Sequence, residues 1–133
     1  MLEFVTTHLK AKRPFVPTRS LQISQLISAL TEQKNALILG DLNADPYEQG
    51  ISDLKSSQYV KSITSDDTFT SYKLRKEKEQ RQIDYIWLKE SLNCAFSEVV
   101  TGYNPEVFDD EKALPSDWMP SDHLPIQAVI AFF

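Results

Sequence analysis

The sequence predicts a mixed α/β (α+β) domain, on three observations. Residues 2–8 have the β-branched and aromatic composition of a strand, and a pattern of helical period follows them. Residues 36–39 then form a short apolar run without alternation, which is typical of a strand covered on both faces. Several strand-like segments occupy the second half of the chain. This order is typical of a mixed β-sheet flanked by helices.

The first predicted strand ends at His8, and Pro14 and Pro17 interrupt the chain after it. Thr18 is a suitable N-cap for the helix that follows. Apolar residues at i, i+3, i+4 and i+7 predict that this helix extends to about Lys34. The residues that carry this pattern are Ile23, Leu26, Ile27 and Leu30.

The apolar run 36–39 ends at Gly40, and the polar segment 41–46 follows it directly. Such loops after buried strands are where α/β folds place ligand-binding groups. Asp45, Pro46 and Glu48 then fit the N-cap, the first position and the capping-box acid of a short helix. We expect that helix to run through Ile51 and Leu54.

The later segments are predicted from composition and turn residues. Strands are expected at 68–72 and 82–89, with the charged stretch 73–81 between them. A further strand is expected at 94–100, a loop at 104–119 and a closing apolar strand at 126–133. No linker divides residues 1–133, so we expect a single domain unit.

Composition excludes several classes of protein. With 41% hydrophobic and 25% charged residues, the chain is neither disordered nor fibrous. Its apolar runs fall far short of the roughly 20 residues of a membrane span, and residues 1–8 lack the pattern of a signal peptide. The single Cys94 and two histidines disfavour a disulfide or a structural zinc site, so we expect a cytoplasmic or other reducing compartment.

The net charge of −5 argues against a protein that coats nucleic acid through bulk electrostatics. It leaves room for a local basic patch and suits an acidic pocket that holds a divalent cation.

Asp41 and Asn43 are the first candidates for chemistry, because they lie together after a buried strand. A carboxylate and an amide oxygen in that place can bind a hard cation or orient a water molecule. The alternative is an Asx-turn or a helix cap, which uses the same hydrogen-bonding groups. From the local sequence the two interpretations are about equally good.

Asp84 lies within the most strand-like segment of the chain, where aspartate is depleted. Its apolar neighbours predict burial, and a buried carboxylate requires a paired charge or several hydrogen bonds. The alternative is an edge strand with Asp84 facing water. The natural partner is His123, because a carboxylate that accepts from one imidazole nitrogen fixes the tautomer and makes the other nitrogen more basic.

Two further residues adjoin this predicted pair. Asp122 precedes His123 directly and could hold a metal ion or a metal-bound water molecule. His8, at the end of the first strand, could donate to a phosphate oxygen, although a surface or capping histidine is equally compatible with its local sequence.

Four ordered motifs carry a family resemblance: THLKA at 7–11, GDLNADP at 40–46, IDYIW at 83–87 and PSDHLP at 120–125. In order and spacing they resemble the endonuclease/exonuclease/phosphatase superfamily. With the segment TSYKLR at 70–75, they are most similar to nocturnin and the carbon-catabolite-repressor-type deadenylases.

The resemblance implies a role for each site residue. Asp41 would position or activate the attacking water, and Asn43 would contact the phosphate and stabilise its developing charge. Asp84 would orient His123, which contacts the phosphate as His8 does. Asp122 and Asp41 would contact the metal ion or its bound water. Lys73 and Arg75 would contact substrate phosphates, although they could equally belong to a solvated loop.

The resemblance also implies the reaction and its cofactor. In-line phosphoester hydrolysis needs an oriented water, neutralisation of phosphate charge and donors aimed at the non-bridging oxygens. Oxygen ligands without cysteine favour Mg²⁺, with Mn²⁺ as an alternative. The implied substrates are poly(A) RNA, for a 3′-exoribonuclease, or an adenine-dinucleotide phosphate such as NADP(H), for a phosphatase.

The resemblance begins in the middle of the family domain, which is about twice as long as this chain and forms a four-layer α/β/β/α sandwich. We therefore expect residues 1–133 to be its C-terminal part, without the N-terminal half that supplies an Asn and a Glu to the metal. Self-association, or pairing with an N-terminal half, is expected. The alternatives are an inactive half-domain that binds or supports a partner, and another phosphatase or endonuclease branch.

Overall fold

The computed structural model describes residues 1–74, 77–100, 115 and 120–131. It contains two α-helices, a 3₁₀ turn at Arg13–Phe15 and eight strands within those residues. The first half holds β1 (Glu3–His8), α1 (Val16–Ala29), β2 (Ala36–Asp41), α2 (Gln49–Ser56) and β3 (Tyr59–Lys61). The second half holds β4 (Ser71–Leu74), β5 (Lys78–Arg81), β6 (Asp84–Lys89), β7 (Asn93–Val99) and β8 (Ile126–Ala131).

The central sheet has the strand order β1-β2-β6-β3. β1 and β2 run parallel, whereas β6 is antiparallel to both of its neighbours, so the sheet is mixed. β4 and β5 form a separate hairpin, and β7 and β8 form another two-stranded sheet. The predicted α/β (α+β) class with a mixed sheet is confirmed.

The two helices cover one face of the central sheet. Ile23 of α1 and Ile51 and Leu54 of α2 are fully buried there against Ile38 and Trp87 of the sheet. The helix-period pattern of the sequence therefore does pack a core, as predicted. We call this side the helix face.

The β7–β8 sheet lies against the opposite face, which we call the hairpin face. The name refers to this two-stranded β7–β8 sheet and not to the β4–β5 hairpin. Leu37 and Leu88 are buried there with Leu92, and Cys94 and Ile130 of the two-stranded sheet pack against them. Because β2 contributes Ile38 to one face and Leu37 to the other, it is covered on both sides, as its unbroken apolar run predicts.

α1 departs from the prediction at both ends. It begins at Val16 with Phe15 as its N-cap, so the predicted Thr18 N-cap is wrong. Pro17 lies in the first turn, where its missing N–H removes no helical bond. The helix ends at Ala29 rather than near Lys34, and the Thr31 hydroxyl donates to the carbonyl of Ile27 there.

α2 also begins later than predicted. Glu48, not Asp45, is the N-cap residue, and no side chain caps the helix. Glu48 Oε1 does accept from the Asp45 N–H at 3.4 Å, but that bond closes a turn that precedes the helix. The Asp45 carboxylate is instead bound by Arg81.

The strands of the second half differ from the prediction in detail. The charged stretch 73–81 is not a loop between strands but contains most of the β4–β5 hairpin. β3 has only three residues, and the sequence did not predict it. β7 and β8 agree with the strands expected at 94–100 and 126–133 within the described residues, whereas most of the expected loop 104–119 lies outside them.

Gly40 marks the closest approach of β1 and β2. Its φ is +130°, and a Cβ placed on it would lie 2.0 Å from the carbonyl oxygen of Thr7. Only glycine fits this position, because both the conformation and the space exclude a side chain.

Neither described helix is long and apolar enough to cross a membrane.

Candidate active site

Three side chains form a row across one end of the central sheet. His8 pairs in register with Asp41, and Asp41 pairs in register with Asp84 on the next strand. Side chains alternate along a strand, and Leu39 and Ile86, two positions before Asp41 and two after Asp84, belong to the hairpin face. The row therefore lies on the hairpin face, at the end where β1 and β2 finish.

The β4–β5 hairpin brings the residues around His123 to this row. Ser71 forms a β-bridge with His123, and the Leu124 N–H donates to the Thr70 carbonyl at 2.7 Å. The Tyr72 N–H donates to the Asp122 carbonyl at 2.8 Å. Segment 120–125 is thus held as an extra strand-like edge of β4, beside the row.

His123 and Asp84 are in direct contact. Nδ1 of His123 lies 2.9 Å from Asp84 Oδ2 and 3.1 Å from Oδ1. If Nδ1 carries the proton, Nε2 is the basic nitrogen. Since β6 lies between β2 and β3, the alternative of an edge strand for Asp84 is wrong. Asp84 is half-buried at the start of β6, whereas the sequence predicted burial within a strand.

Thr70 completes the environment of Asp84. Its fully buried hydroxyl donates to Asp84 Oδ2 at 2.7 Å and accepts from the N–H groups of Ile83 and Asp84. Burial raises the pKa of the Asp84 carboxyl, while the hydrogen bonds with Thr70 and His123 oppose that rise. Sequence analysis assigned no role to Thr70, because its role depends on a contact with Asp84, 14 residues away.

Asp41 has one oxygen in a turn and one facing the site. Oδ1 accepts from the Asn43 N–H at 2.8 Å, which is the Asx-turn of the alternative interpretation. Oδ2 lies 3.4 Å from His8 Nε2 and 4.0 Å from His123 Nε2. For Asp41 the structural and the functional interpretations are therefore compatible.

Asn43 makes a backbone contact through its side chain. It is 8% exposed, has a φ of +50°, and its carboxamide nitrogen donates to the Leu9 carbonyl at 2.9 Å. The contact fixes the loop after β2 against the end of β1, because the Leu9 N–H also donates to the Asp41 carbonyl. Asn43 therefore fixes the loop that carries Asp41, and its contact with phosphate stays a prediction, because the carboxamide nitrogen has a second N–H donor.

Asp122 and Lys73 lie at the rim. Asp122 Oδ1 is 3.9 Å from His123 Nε2, and its Oδ2 is 3.2 Å from the Lys73 ammonium. Lys73 is thus held beside the site by its ion pair with Asp122, and its contact with phosphate stays a prediction. Its predicted companion Arg75 lies outside the described residues. His8 is 73% exposed, so its ring is accessible from solvent.

The donor atoms define where a cation would fit. One ligand atom each from Asp41, Asp84 and His123 lies within 4.8 Å of the others. The oxygens of Asp84, however, already accept hydrogen bonds from Thr70 and His123. Asp84 is therefore better placed to orient His123 than to bind the cation. The oxygens of Asp41 and Asp122 that face His123 Nε2 are hard donors of the kind that Mg²⁺ and Mn²⁺ prefer.

Two arginines that sequence analysis missed hold the loop between β2 and α2. Arg81 makes a two-point contact with Asp45, 3.0 Å at each oxygen, and donates to the Asn43 carbonyl at 3.2 Å. Arg19 is 1% exposed and makes a two-point contact with Glu48 at 3.0 and 2.7 Å. Both partners are distant in sequence, so local patterns give no signal for either pair.

An apolar cavity of about 350 Å³ adjoins the row on the hairpin face. Leu39, Ile86 and Leu124 line it, and Asp84 forms part of its wall. The site therefore borders apolar surface of the sheet.

The fold and the site define a layered α/β domain with an aspartate–histidine centre at one end of a mixed sheet. The sequence profile of the Endonuclease/Exonuclease/phosphatase family matches residues 13–123, and the chain belongs to this family. Comparison with the sequences of curated proteins gave no significant match.

Solved structures show the same fold. The catalytic domain of human nocturnin with a bound sulfate anion superposes with a TM-score of 0.72 at 23% identity, over 98% of this chain and 47% of nocturnin's. TDP2 of D. rerio in complex with a single-strand DNA product gives 0.72 at 12% identity, over 96% and 55%. The mannosyl-6-phosphatase Bt3783 of Bacteroides thetaiotaomicron VPI-5482 gives 0.66 at 18% identity, over 97% and 51%. The chain spans about half the length of these relatives.

Proposed function

We propose that this chain carries the C-terminal half of the catalytic centre of a Mg²⁺-dependent phosphoester hydrolase of the nocturnin and deadenylase type. The observation that carries the proposal is the contact between Asp84 and His123 beside Asp41, at one end of the sheet. An oriented imidazole that faces the oxygen of a second carboxylate is what acid–base chemistry on a water molecule and a phosphate requires.

Each residue has a defined task in this proposal. Asp84 accepts from Nδ1–H of His123 and fixes the tautomer, so that Nε2 faces the open site. Asp41 Oδ2 orients the attacking water and accepts its proton. His8 and Lys73 are exposed or partly exposed donors at the rim, suited to the non-bridging oxygens of a phosphate.

Asp41 and Asp122 are the residues that would hold the cation. A bound Mg²⁺ would neutralise phosphate charge during in-line attack. In this proposal Asn43 fixes Asp41 through the turn, and the second N–H of its carboxamide nitrogen donates to the phosphate.

The proposed substrates are poly(A) RNA or an adenine-dinucleotide phosphate such as NADP(H). The relatives support a phosphoester of this kind, since one is described with a sulfate anion, one with a single-strand DNA product and one as a sugar phosphatase. The nocturnin-like motif at 70–75 favours the adenine-containing substrates over the other branches of the family.

A second candidate function is a catalytically inactive half-domain that binds or supports a partner. One observation favours this function: the chain aligns with only about half of the length of each similar structure. The metal-binding Asn and Glu expected from the N-terminal half have no counterpart here, so Asp41 and Asp122 alone would hold Mg²⁺ weakly.

The test is a hydrolysis assay on the chain alone and after addition of the N-terminal half of a related domain. We expect no adenylate or phosphate release above a His123→Ala control for the chain alone, and chelator-sensitive, Mg²⁺-restored release after complementation. Poly(A) and NADP(H) are compared in the same assay. Complementation that forms a stable complex without any hydrolysis would leave the inactive half-domain as the function.

A further inference from the structure

The charges of this acidic protein are segregated along the chain. Between Glu3 and Glu32 there is no acidic residue, whereas the same segment contains four cationic side chains in a protein of net charge −5. Lys10, Lys12 and Arg13 are exposed, and within the described residues no carboxylate forms an ion pair with Lys12 or Arg13. The fourth, Arg19, is buried with Glu48.

The three exposed cations lie on a loop that begins at the candidate active site. Lys10 is two residues beyond His8, and the intervening Leu9 binds the loop after β2 through both its N–H and its carbonyl. The cations therefore extend the edge of the site outward from β1 towards the start of α1.

Hydrogen bonds to a buried side chain fix the backbone conformation of this loop. The buried Arg19 guanidinium donates to the carbonyls of Lys10 and Lys12, at 3.0 and 2.7 Å, while Glu48 holds its other side. Lys12 is fixed at a φ of +77°. Because Arg19 fixes the backbone of the loop, the exposed side chains of Lys12 and Arg13 start from defined backbone positions.

An aromatic ring accompanies these cations. Phe15 is 37% exposed, and the Lys10 ammonium lies 4.6 Å from its ring centroid. The helix that starts at Val16 has no acidic residue in its first turn, so its N-terminal end adds positive potential. We call Lys10, Lys12, Arg13 and Phe15 the basic lip.

We propose that the basic lip binds a single-stranded polynucleotide, whose backbone it tracks next to the candidate active site. Spaced cations along a backbone path together with an exposed ring are what sequence-tolerant single-strand binding uses, since phosphates pair with the cations and a base stacks on the ring. A small phosphate ester held at the His123 centre would not need three cations that lead away from it. The inference deepens the proposed function, because it selects the polynucleotide over the dinucleotide.

The test is equilibrium binding of a fluorescent oligoadenylate by anisotropy, with chelator present so that no hydrolysis occurs. Changing Lys12 and Arg13 together to Ala should raise Kd about tenfold and lower the slope of log K against log salt by about 1.4, at ~0.7 for each lost phosphate contact. The matched control is Lys34→Ala with Lys55→Ala, which removes the same charge from two exposed lysines outside the lip, one just before β2 and one in α2. We expect that control to leave affinity within about twofold.

Two further measurements test which ligand the lip binds and whether the Phe15 ring contributes to binding. NADP(H) should compete weakly, and its own affinity should be unaffected by the lip variant. Phe15→Leu, which keeps an apolar side chain at the start of α1, should weaken oligoadenylate binding about fivefold or more through lost stacking. Thermal melts followed by circular dichroism establish that each variant is folded.

Equal losses in the lip and control variants, or an unchanged affinity of Phe15→Leu, would overturn the inference, and so would an equal loss of NADP(H) binding. These results are separable from the proposed function. Lip-dependent binding without hydrolysis after complementation would reject only the hydrolase, whereas hydrolysis that is independent of the lip would reject only the inference.

Discussion

The contact between Asp84 and His123 fixes the orientation and the tautomer of the imidazole, which neither residue achieves alone. Neither side chain is unusual alone, but the 2.9 Å contact fixes the ring and its proton. Their losses should therefore not add.

We predict that Asp84→Asn and His123→Ala each lower turnover of the complemented domain by about 10²–10⁴, the range for a general acid or base. The double variant should be little worse than either single one, because both changes disable one unit. The measurement is a double-mutant cycle on single-turnover rates. Additive losses would refute the pairing, and unaltered circular dichroism of Asp84→Asn excludes a folding defect.

The Thr70 hydroxyl provides a second prediction at this scale. Thr70→Val keeps the shape but removes a donor to Asp84 and an acceptor for two N–H groups. We expect a loss of about 1–3 kcal/mol in the free energy of unfolding, the cost of buried groups left unsatisfied. Urea unfolding measures it. Thr70→Ser keeps the hydroxyl and is the matched control, so equal losses for Val and Ser would assign the effect to packing.

Among the secondary-structure elements, those with strong local signals were predictable and those fixed by distant contacts were not. The strands around Val5 and Ile38 follow from composition, because a sheet covered by helices needs apolar residues there. The β4–β5 hairpin was missed, because its Lys and Glu residues resemble a solvated loop. The start of α2 was predicted too early, because the Asp45 carboxylate binds Arg81 and does not cap the helix.

The same distinction applies to the candidate site. Asp41 and Asp84 were identifiable because they stand in unusual local settings, at the end of a buried strand and within an apolar one. His123 was identifiable as the partner that a buried carboxylate requires. Thr70 and Arg81 were not, because their importance depends on partners 14 and 36 residues away. The turn-forming position of Asn43 depends likewise on the distant Leu9 carbonyl.

The pair between α1 and the N-cap of α2 gives a prediction at the scale of elements. Glu48→Gln removes the charge opposite Arg19, whose guanidinium is fully buried. We predict a loss of about 3–5 kcal/mol in the free energy of unfolding, as for a buried charge without its partner. Lys55→Ala breaks the exposed pair with Asp66 and should cost less than about 1 kcal/mol. Similar midpoints for the two variants in chemical denaturation would contradict this reading of Arg19.

The whole molecule has apolar surface that no described residue covers. Phe4 on the hairpin face is 64% exposed, and Phe96 and Val129, which are cross-strand neighbours, are 48% and 59% exposed. The two-stranded β7–β8 sheet also has free edges among the described strands, and such edges template further pairing. The half-domain proposal accounts for both features, because an N-terminal half would supply the missing layer.

We therefore predict that the chain alone self-associates, as measured by light scattering after size exclusion. Phe96→Ser with Val129→Ser should shift it towards monomer, because the change removes the exposed pair without touching the buried side of the sheet. Leu21→Ser, at a 61% exposed residue of α1, is the control and should have little effect. A monodisperse monomer of the unmodified chain at high concentration would argue against the half-domain.

The sequence separation of the site residues has a consequence for folding. His8, Asp41, Asp84 and His123 are spread over most of the chain, and the last contact joins residues 39 positions apart. The pairing of β1 with β2 closes a shorter loop of chain than the pairing of His123 with Ser71 of β4, and the longer loop costs more chain entropy. The aspartate–histidine pair is thus expected among the last contacts to form. A probe on His123 would report the final folding step, even in a chain that never turns over a substrate.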